Sequence, residues 1–428
     1  MSTHWFDAAR TLSTCLGAAS LCVATPAFGD VFNMPAGLTS LEFVTVGNAG
    51  NAADSATGFG AVGYEYRIAT TEVTNAQYVE FLNAVDPSGA NTLDLFSTDV
   101  VPSVTGIQLK TANPAGAKYV ALSERENTPV NYVSWYDAIR FTNWLHNGQP
   151  SSSMSTESGA YDIDGGTPSP SNGADITRDP KARYFIPTED EWYKAAYHDS
   201  SSGLAGVYFL HATGSNLFPI SDQPEDSPGA VNYFFDDGVA NGINDGYAVS
   251  GSTDFPQNTH PLTPVGAYFQ AISPYGTLDQ AGNLIEWNET ITVGEMRGRR
   301  GGAWNADSTL LPSTQRSTSD PNSNNGDVGF RVAAIIPPLP GDANGDGVVD
   351  LLDFDILAQT YLTSVPPGTG ADFNGNGVVE LLDFDILAQN FGASSPATVP
   401  EPASAALLAL AWPLVTRRRR RSPSRGLG

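Results

Sequence analysis

Cysteine is almost absent from this chain of 428 residues. Both cysteines, Cys15 and Cys22, lie in the N-terminal segment 1–29, in which Arg10 precedes an apolar run and a small-x-small pattern ends the segment. This arrangement is typical of a secretory signal peptide, although a helix of the folded protein is the alternative. Once the segment is removed, the protein has no thiol, which excludes disulfide bonds and thiolate chemistry.

Basic residues are also scarce. The chain has 21 lysines and arginines against 46 aspartates and glutamates, a formal net charge of −25 at pH 7. This excess of negative charge argues against a nucleic acid as partner. It is consistent either with a surface suited to salty water or with carboxylates that bind cations. The spacing of the carboxylates separates these two interpretations.

Several catalytic motifs are missing as well. The sequence has no Gly-x-Ser-x-Gly elbow, no Walker-type loop and no dinucleotide fingerprint. Glu189 and Glu191 could act as an acid–base pair, but the start of a helix after Thr188 explains them more simply. Four histidines follow the signal segment without metal-ligand spacing and are predicted to be packed or surface residues: His146, His198, His211 and His260.

A duplicated acidic loop follows a proline-rich linker at 337–341. Residues 342–353 recur as residues 372–383, with oxygen-bearing side chains at loop positions 1, 3, 5, 9 and 12 and glycine at position 6. A hard cation with about six to eight oxygen ligands needs this pattern, so we predict that each loop binds calcium. The predicted ligands are Asp342, Asn344, Asp346, the Val348 carbonyl, Asp350 and Asp353 in the first loop, and Asp372, Asn374, Asn376, the Val378 carbonyl, Glu380 and Asp383 in the second.

Apolar residues recur at helical spacing after each loop, so each loop is predicted to begin a helix that packs on its twin. The second loop has Asn376 where the first has Asp346, and we predict weaker calcium binding there because one negative charge is lost. These repeats resemble type I dockerin modules over residues 342–392. The resemblance implies a small, calcium-folded all-α module that binds a cohesin-type receptor in an extracellular assembly. The leucine pairs at 351–352 and 381–382 lie near where dockerins contact their partner, and core positions are the alternative.

The tail combines a Pro-Glu-Pro motif at 400–402, the apolar run 403–415 and the arginine cluster 417–421. The apolar run is short for a membrane span, which needs about 20 residues. In this order the three features resemble the Pro-Glu-Pro C-terminal (PEP-CTERM) sorting signal of bacteria, and an ordinary helix with a basic end is the alternative. The resemblance implies a short transmembrane segment that a membrane-bound, transpeptidase-like enzyme removes. It places the protein in the cell envelope or extracellular matrix of a bacterium.

The segment 30–336 consists of short apolar runs broken by Gly, Pro, Asn and Ser, which predicts an irregular α+β domain. Helices with aromatic core stripes are predicted after Thr74 and Ser134. Five phrases stand in order along the segment: Glu72–Asn75, Pro129–Trp135, Pro187–Trp192, Gly282–Trp287, and Arg300–Trp304 with Gly329–Arg331. Together they resemble the formylglycine-generating enzyme family, also called sulfatase-modifying factors. The resemblance implies an elaborated C-type-lectin-like α+β fold with little regular structure.

The same resemblance implies a structural calcium ion in the turn that precedes Trp287. Its ligands would be Asp279, the carbonyls of Gly282 and Leu284, and Glu286. The alternative for Glu286 is a carboxylate that is hydrogen-bonded to backbone amides. A second family site would fall on Asn232 and the Tyr233 carbonyl, where the surrounding sequence diverges.

Catalytic members of the family are copper-dependent oxidases with two active-site cysteines, and soft thiolates suit cuprous copper. In this chain those positions correspond to Ala306 and Leu311, and Ala303 replaces the family serine. We therefore predict a secreted, non-catalytic domain that presents a binding surface, with polysaccharide as a candidate ligand and the dockerin-like module as its link to an assembly.

Two alternatives to this prediction remain open. The first is a divergent oxidase, or another enzyme of sulfatase or polysaccharide metabolism. In the second, the dockerin-like part carries the essential function and the large domain is its cargo. The predicted boundaries are 1–29 for the signal peptide, 30–336 for the large domain, 337–341 for the linker, 342–394 for the dockerin-like module and 395–428 for the tail.

Overall fold

The computed structural model describes residues 41–224, 228–257, 259–336, 339–345, 347–366 and 369–394. The predicted signal peptide, the predicted sorting tail and the predicted ligand Asp346 lie outside these residues. Within the described ranges, no helix has the length and apolar character that crossing a membrane requires.

Regular structure is sparse and its elements are short. The helices are α1 (Asn75–Val85), α2 (Trp135–His146), α3 (Glu189–Tyr197), α4 (Leu351–Thr360) and α5 (Leu381–Asn390). The strands are β1 (Phe43–Val46), β2 (Tyr66–Ala69), β3 (Ile107–Leu109), β4 (Tyr119–Ala121), β5 (Tyr184–Phe185), β6 (Ile220–Ser221), β7 (Ala230–Val231), β8 (Phe234–Asp236), β9 (Asp245–Tyr247), β10 (Ile285–Ile291), β11 (Arg297–Arg300), β12 (Ser317–Ser319), β13 (Val328–Gly329) and β14 (Ala333–Ile335).

Two four-stranded sheets organise the large domain. The first has the strand order β1-β2-β14-β5 and is antiparallel throughout, so the last strand of the domain pairs with the second. The second has the order β12-β11-β10-β13, in which β10 and β13 run parallel. The pairs β3–β4, β6–β7 and β8–β9 form separate two-stranded sheets. This arrangement confirms the predicted irregular α+β class.

Capping boxes begin the three helices of the large domain. The side chains of Thr74, Ser134 and Thr188 each accept a hydrogen bond from a backbone amide in the first turn of α1, α2 and α3. In each case the third residue of the helix returns a side-chain hydrogen bond to the capping residue. These reciprocal bonds satisfy amides that a helix start otherwise leaves unpaired. The helix starts predicted from the sequence are therefore confirmed.

Aromatic side chains form the centre of the large domain. The ring of Phe81 lies 5.3 Å from Tyr78 and 5.5 Å from Trp144, and Phe141 lies 5.4 Å from Phe330, measured between ring centroids. All five residues are buried in one cluster between α1, α2 and the segment before β14. Edge-to-face and tilted contacts at these distances are favourable for aromatic pairs. The aromatic stripes are core residues, as predicted.

Residues 339–394 form an apolar cluster of their own. Its buried members are Val349, Leu357, Ala371, Val379 and Leu387. Helices α4 and α5 contact each other, and the rings of Phe354 and Phe384 lie 6.2 Å apart. The two repeats are also joined through backbone hydrogen bonds, from Leu362 to the Val379 carbonyl and from Gly392 to the Val349 carbonyl. The predicted packing of the twin helices is confirmed.

The two leucine pairs at the starts of α4 and α5 are not core residues. Their exposed fractions are 67% for Leu351, 57% for Leu352, 61% for Leu381 and 58% for Leu382. Sequence reasoning left both core and surface positions open for these leucines, and the structure places all four at the surface. Each repeat thus exposes an equivalent apolar pair.

Candidate functional site

In the first acidic loop, carboxylate side chains accept hydrogen bonds from the backbone amides of the same loop. Asp342 accepts hydrogen bonds from the amides of Gly345 and Gly347 at 2.7 and 2.8 Å. Asp353, which is fully buried, accepts from the amides of Ala343 and Asn344. The loop is therefore held in a tight turn by two acidic side chains from its opposite ends.

The end of this loop leads directly into α4. Asp350 caps the helix by accepting from the Leu352 amide at 2.7 Å, and its own amide donates to Asp353 at 2.8 Å. Val348 forms an isolated bridge with Ser394, which joins the loop to the end of the second repeat. Loop geometry, helix start and repeat pairing are thus coupled.

The second loop has a similar arrangement. Asp372 accepts from the amides of Asn376 and Gly377, while Asp383 accepts from those of Asn374 and Glu380. At the position where the first loop has aspartate, the Asn376 side-chain amide donates to Glu380 at 2.8 Å. This bond occupies a carboxylate oxygen at loop position 9, and a bridge between Ser364 and Val378 closes the loop.

The donor set of both loops fits a hard cation. Carboxylate, carboxamide and carbonyl oxygens are the ligands that calcium prefers, and each carboxylate oxygen can bind an ion while accepting an amide. The glycines at loop position 6, Gly347 and Gly377, have φ angles of 83° and 85°, which most other residues avoid. Among the residues that the structure describes, no three His, Cys, Asp or Glu side chains are arranged as a ready metal cage.

The turn before β10 has different contacts from those that the resemblance implied. Both oxygens of Glu286 bind Arg331, at 2.6 Å from Nε and 2.6 Å from Nη2, and one also accepts from the Trp192 indole. Glu286 and Arg331 are fully buried. Because a guanidinium already neutralises this carboxylate, Glu286 does not fit a calcium ligand in this arrangement. The alternative of a hydrogen-bonded Glu286 fits better, with side chains rather than backbone amides as donors.

The other predicted ligands of this turn are buried around that ion pair. Asp279 accepts from the Gly266 amide, and burial raises its pKa to about 6. Gly282 has a φ of 84°, and a Cβ there would lie 2.3 Å from the Asn232 carbonyl oxygen, so only glycine fits. Leu284 is fully buried in a small cluster with Trp304.

A further carboxylate lies beside this group. Glu72 is fully buried, and neither of its oxygens has a hydrogen-bond partner. Burial and the nearby charges of Asp279 and Glu286 raise its pKa well above the ordinary value. The sequence placed Glu72 in a family phrase without indicating a role for it.

The residues of the weaker family site are engaged in hydrogen bonds of the protein. The Asn232 side chain donates to the Pro261 carbonyl at 2.9 Å and to Asn283 at 3.1 Å. The Tyr233 carbonyl accepts from the Ser221 hydroxyl at 2.7 Å. Both of these hydrogen bonds of Asn232 use its Nδ2 group, and its oxygen is not involved in them.

Apolar contacts surround the positions that correspond to the family's copper thiolates. Leu311 is fully buried against Trp192 and Tyr197 in an aromatic cluster. Ala306 packs on the main core, and Ala303 is buried there. These side chains offer no donor to a metal ion, and thiolate ligation has no substitute in an alkyl group.

The carboxylates Glu189 and Glu191 have structural partners. Glu189 is buried and forms ion pairs with Arg300, at 2.7 Å, and with Arg316. Glu191 is buried as well, closes the capping box with Thr188, and pairs with Arg178 at 3.1 Å. The predicted helix start after Thr188 is therefore confirmed.

The four histidines are packed separately. His198 bonds the Tyr275 hydroxyl and the Ala205 carbonyl, and His260 bonds two backbone carbonyls. His146 accepts from the Arg183 amide. His211 is fully buried and neither ring nitrogen has a partner. These contacts confirm the predicted packed or surface roles.

One cavity was not anticipated from the sequence. It has a volume of about 210 Å³ and lies between α3, β10 and β11. Its lining is Tyr161, Ile176, Thr177, Arg178, Thr188, Glu289, Thr290, Ile291 and Arg297. These residues come from five separate stretches, so no short motif could have revealed them. The available signal was the polar run Asn288–Thr290 at the end of an otherwise apolar strand.

Comparisons with known proteins agree with the two-part organisation. A family model described as sulfatase-modifying factor enzyme 1-like domain matches residues 44–336, and the type I dockerin domain model matches residues 340–392. A search of curated proteins found no match.

Solved structures similar to this chain include three of note. The crystal structure of CarF is 21% identical, covers 70% of this chain and 99% of its own, and has a TM-score of 0.42. Treponema denticola variable protein 1 is 19% identical, with 70% and 97% coverage and a TM-score of 0.37. The type II cohesin–dockerin domain from Bacteroides cellolosolvens is 44% identical over 14% of this chain and 93% of its own, with a TM-score of 0.13. On the match of the family model to most of its length, the chain belongs to the sulfatase-modifying factor family, and a type I dockerin domain follows the family domain.

Proposed function

We propose that this protein is an exported, non-catalytic sulfatase-modifying-factor-like protein. Its large domain presents a binding surface, and its dockerin domain joins that surface to an extracellular assembly through a cohesin-type receptor. The observation that carries the non-catalytic part is the burial of Leu311 and Ala303 in apolar surroundings, with Ala306 packed on the core. Copper-dependent oxidation needs soft ligands at this place, and alkyl side chains supply none.

The dockerin domain supports the docking part of the proposal. Its leucine pairs project from equivalent positions on α4 and α5, where apolar side chains can be buried by a partner. Burial of a leucine side chain contributes roughly 1.5–3 kcal/mol. Calcium is the proposed cofactor of both loops, where it holds the helix starts in place.

Export and anchoring are inferred from the sequence at the two ends of the chain. The signal-like segment 1–29 directs secretion, and the segment 395–428 gives transient membrane contact before the tail is removed. The five predicted segments, 1–29, 30–336, 337–341, 342–394 and 395–428, are part of this proposal.

A copper assay tests the non-catalytic role. Purified protein is incubated with cuprous copper and a peptide that carries a sulfatase-type cysteine motif, and aldehyde is measured by mass spectrometry. We expect no aldehyde above the level of the peptide with copper alone. Copper-dependent aldehyde formation would establish the rival, a divergent oxidase.

A pull-down from envelope proteins of the producing cell tests the docking role. We expect the full chain to capture a cohesin-type partner in calcium and to lose it in chelator. Replacing Leu351, Leu352, Leu381 and Leu382 with aspartate removes capture, whereas glutamate at the exposed Gln359 and Gln389 of the same helices leaves it intact. Calcium-independent capture, or equal capture by both variants, contradicts the proposed surface.

A further inference from the structure

We propose that the cavity between α3, β10 and β11 binds a single neutral, hydroxyl-rich ring, as at the end of a polysaccharide chain. This inference rests on the proposed binding role of the large domain and names its ligand class. Four features carry it: the position of the cavity, the free acceptor capacity of Glu289, the balance of charge, and the hydroxyl groups at the rim.

The cavity is separate from the positions that correspond to the copper ligands. The ladder between β10 and β11 pairs Glu286 with Arg300 at one end and Ile291 with Arg297 at the other. The cavity includes Ile291 and Arg297, whereas Ala303 follows Arg300 at the opposite end. A ligand here would therefore use a surface unrelated to oxidase chemistry.

Glu289 lies in the wall of the cavity with acceptor capacity to spare. One oxygen accepts from the Tyr161 hydroxyl at 2.6 Å, and the other lies 3.2 Å from Arg178. Burial raises the pKa of Glu289 to about 7, so above that pH it is a carboxylate, each of whose oxygens can accept two hydrogen bonds and retains room for a donor from a ligand. Its side chain is 13% exposed, which leaves it within reach of a molecule in the cavity. Hydroxyl groups, such as those of a sugar ring, are suitable donors to these oxygens.

The charges at the cavity favour a neutral ligand. Arg178 pairs with both Glu191 and Glu289. Arg297 stacks on Trp135 at 3.7 Å and donates to backbone carbonyls, including that of Glu289. Of the charged groups, Glu289, Arg178 and Arg297 line the cavity, the buried Glu191 offsets Arg178, and Glu295 acts on Arg297 from outside the lining, so charges of both signs are present. The arginines would repel a cation, and Glu289 would repel an anion. A charged ligand of either sign would therefore not regain the free energy that it loses on leaving water.

Hydroxyl groups and apolar side chains complete the surface. The Thr177 side chain is exposed and forms no hydrogen bond within the described residues. Thr290 accepts from the Glu189 amide, which leaves its own proton free to donate. Ile176 and Ile291 provide apolar walls for the C–H faces of a ring. The volume of about 210 Å³ suits one ring rather than an extended chain.

Ligand-observed NMR on the full chain tests this site with the methyl glycosides of glucose, galactose and mannose as probes. We expect at least one glycoside to bind. Glu289→Gln should weaken it about tenfold, equivalent to about 1.4 kcal/mol, because the carboxamide is a poorer acceptor. Thr177→Val should weaken it about threefold, since only one neutral hydrogen bond is lost. Thr177 has no internal partner, so that variant keeps the fold.

Glu295→Gln is the matched control, because Glu295 is exposed and does not line the cavity. It should bind the glycoside as the parent does. Absence of binding by all three glycosides, equal weakening by Glu289→Gln and Glu295→Gln, or binding of N-acetylglycinamide in place of a glycoside would overturn the inference. Failure here removes this ligand class and leaves the non-catalytic and docking parts of the proposed function, which the copper and pull-down assays test separately.

Discussion

The ion pair between Glu286 and Arg331 is completely buried, and Arg331 additionally donates to the carbonyls of Ala69, Thr70 and Leu278. One side chain thereby joins the ends of β2 and β10 to the turn before β10. Loss of one partner would leave the other charge buried and unpaired, which costs more than the attraction itself.

We expect Arg331→Met to lower the free energy of unfolding by about 3–5 kcal/mol. Urea denaturation followed by tryptophan fluorescence measures this, since residues 342–394 contain no tryptophan. The double variant Glu286→Leu with Arg331→Met should recover part of the loss, because Glu286 no longer stays buried as an unpaired charge, whereas the carbonyls of Ala69, Thr70 and Leu278 still lack their donor. A single-variant loss under about 1 kcal/mol would contradict the importance of the pair.

His211 gives a second test at the residue scale. Burial lowers its pKa from 6.5 to about 4, so the unfolded chain binds a proton more readily than the folded one. Its contribution to stability is present above pH 6.5 and is lost as the pH falls towards 4. We expect the unfolding free energy of His211→Leu to rise relative to that of the parent as the pH falls from 7 to 5, by at most about 2 kcal/mol. A difference in unfolding free energy that does not change with pH would refute this.

At the scale of elements, the acidic loops and their helices form single units. Asp353 accepts three backbone amides, those of Ala343, Asn344 and Asp350, at 2.8 to 3.1 Å. Its position at the start of α4 means that the loop and the helix share one buried acceptor. Disturbing it should therefore affect both.

We expect Asp353→Ala to destabilise the dockerin domain by about 3 kcal/mol or more in saturating calcium, because three amides lose their acceptor. Thermal unfolding followed by circular dichroism measures this. Asp355→Ala is the control, since Asp355 lies on the same helix and is exposed. Similar losses in both variants would mean that charge, rather than the buried acceptor, is responsible.

The two loops should also differ in calcium affinity. The Asn376 side chain removes one negative charge and occupies an oxygen of Glu380. We expect Asn376→Asp to tighten the second loop about tenfold, and Asp346→Asn to weaken the first by a similar factor. Calorimetric titration of the parent and both variants measures this. Equal affinities for both loops in the parent would count against the prediction.

At the scale of the whole molecule, calcium should support one part of the chain more than the other. In the large domain Arg331 neutralises Glu286, whereas in the dockerin domain the loops hold only carboxylates, carboxamides and carbonyls. We expect chelator to abolish the cooperative unfolding of the dockerin domain, which the NMR signals of α4 and α5 report. The midpoint of the unfolding transition of the large domain, measured by tryptophan fluorescence, should not change. If chelator instead lowers the midpoint of the tryptophan-monitored transition, a calcium ion near Asp279 is indicated.

Features that depend on near neighbours along the chain could be predicted from the amino-acid sequence. The capping residues Thr74, Ser134 and Thr188 act within three residues of themselves, and loop ligand spacing is a property of twelve consecutive positions. The absence of thiols at Ala306 and Leu311 is likewise evident from the sequence.

Which distant groups meet became known from the fold. It paired Arg331 with Glu286, 45 residues apart, where sequence reasoning expected calcium, and it left the leucine pairs of α4 and α5 exposed. It also brought Tyr161 and Glu289, 128 residues apart, to one cavity wall. Such contacts depend on how irregular segments pack against one another, and local periodicity carries no information about that packing.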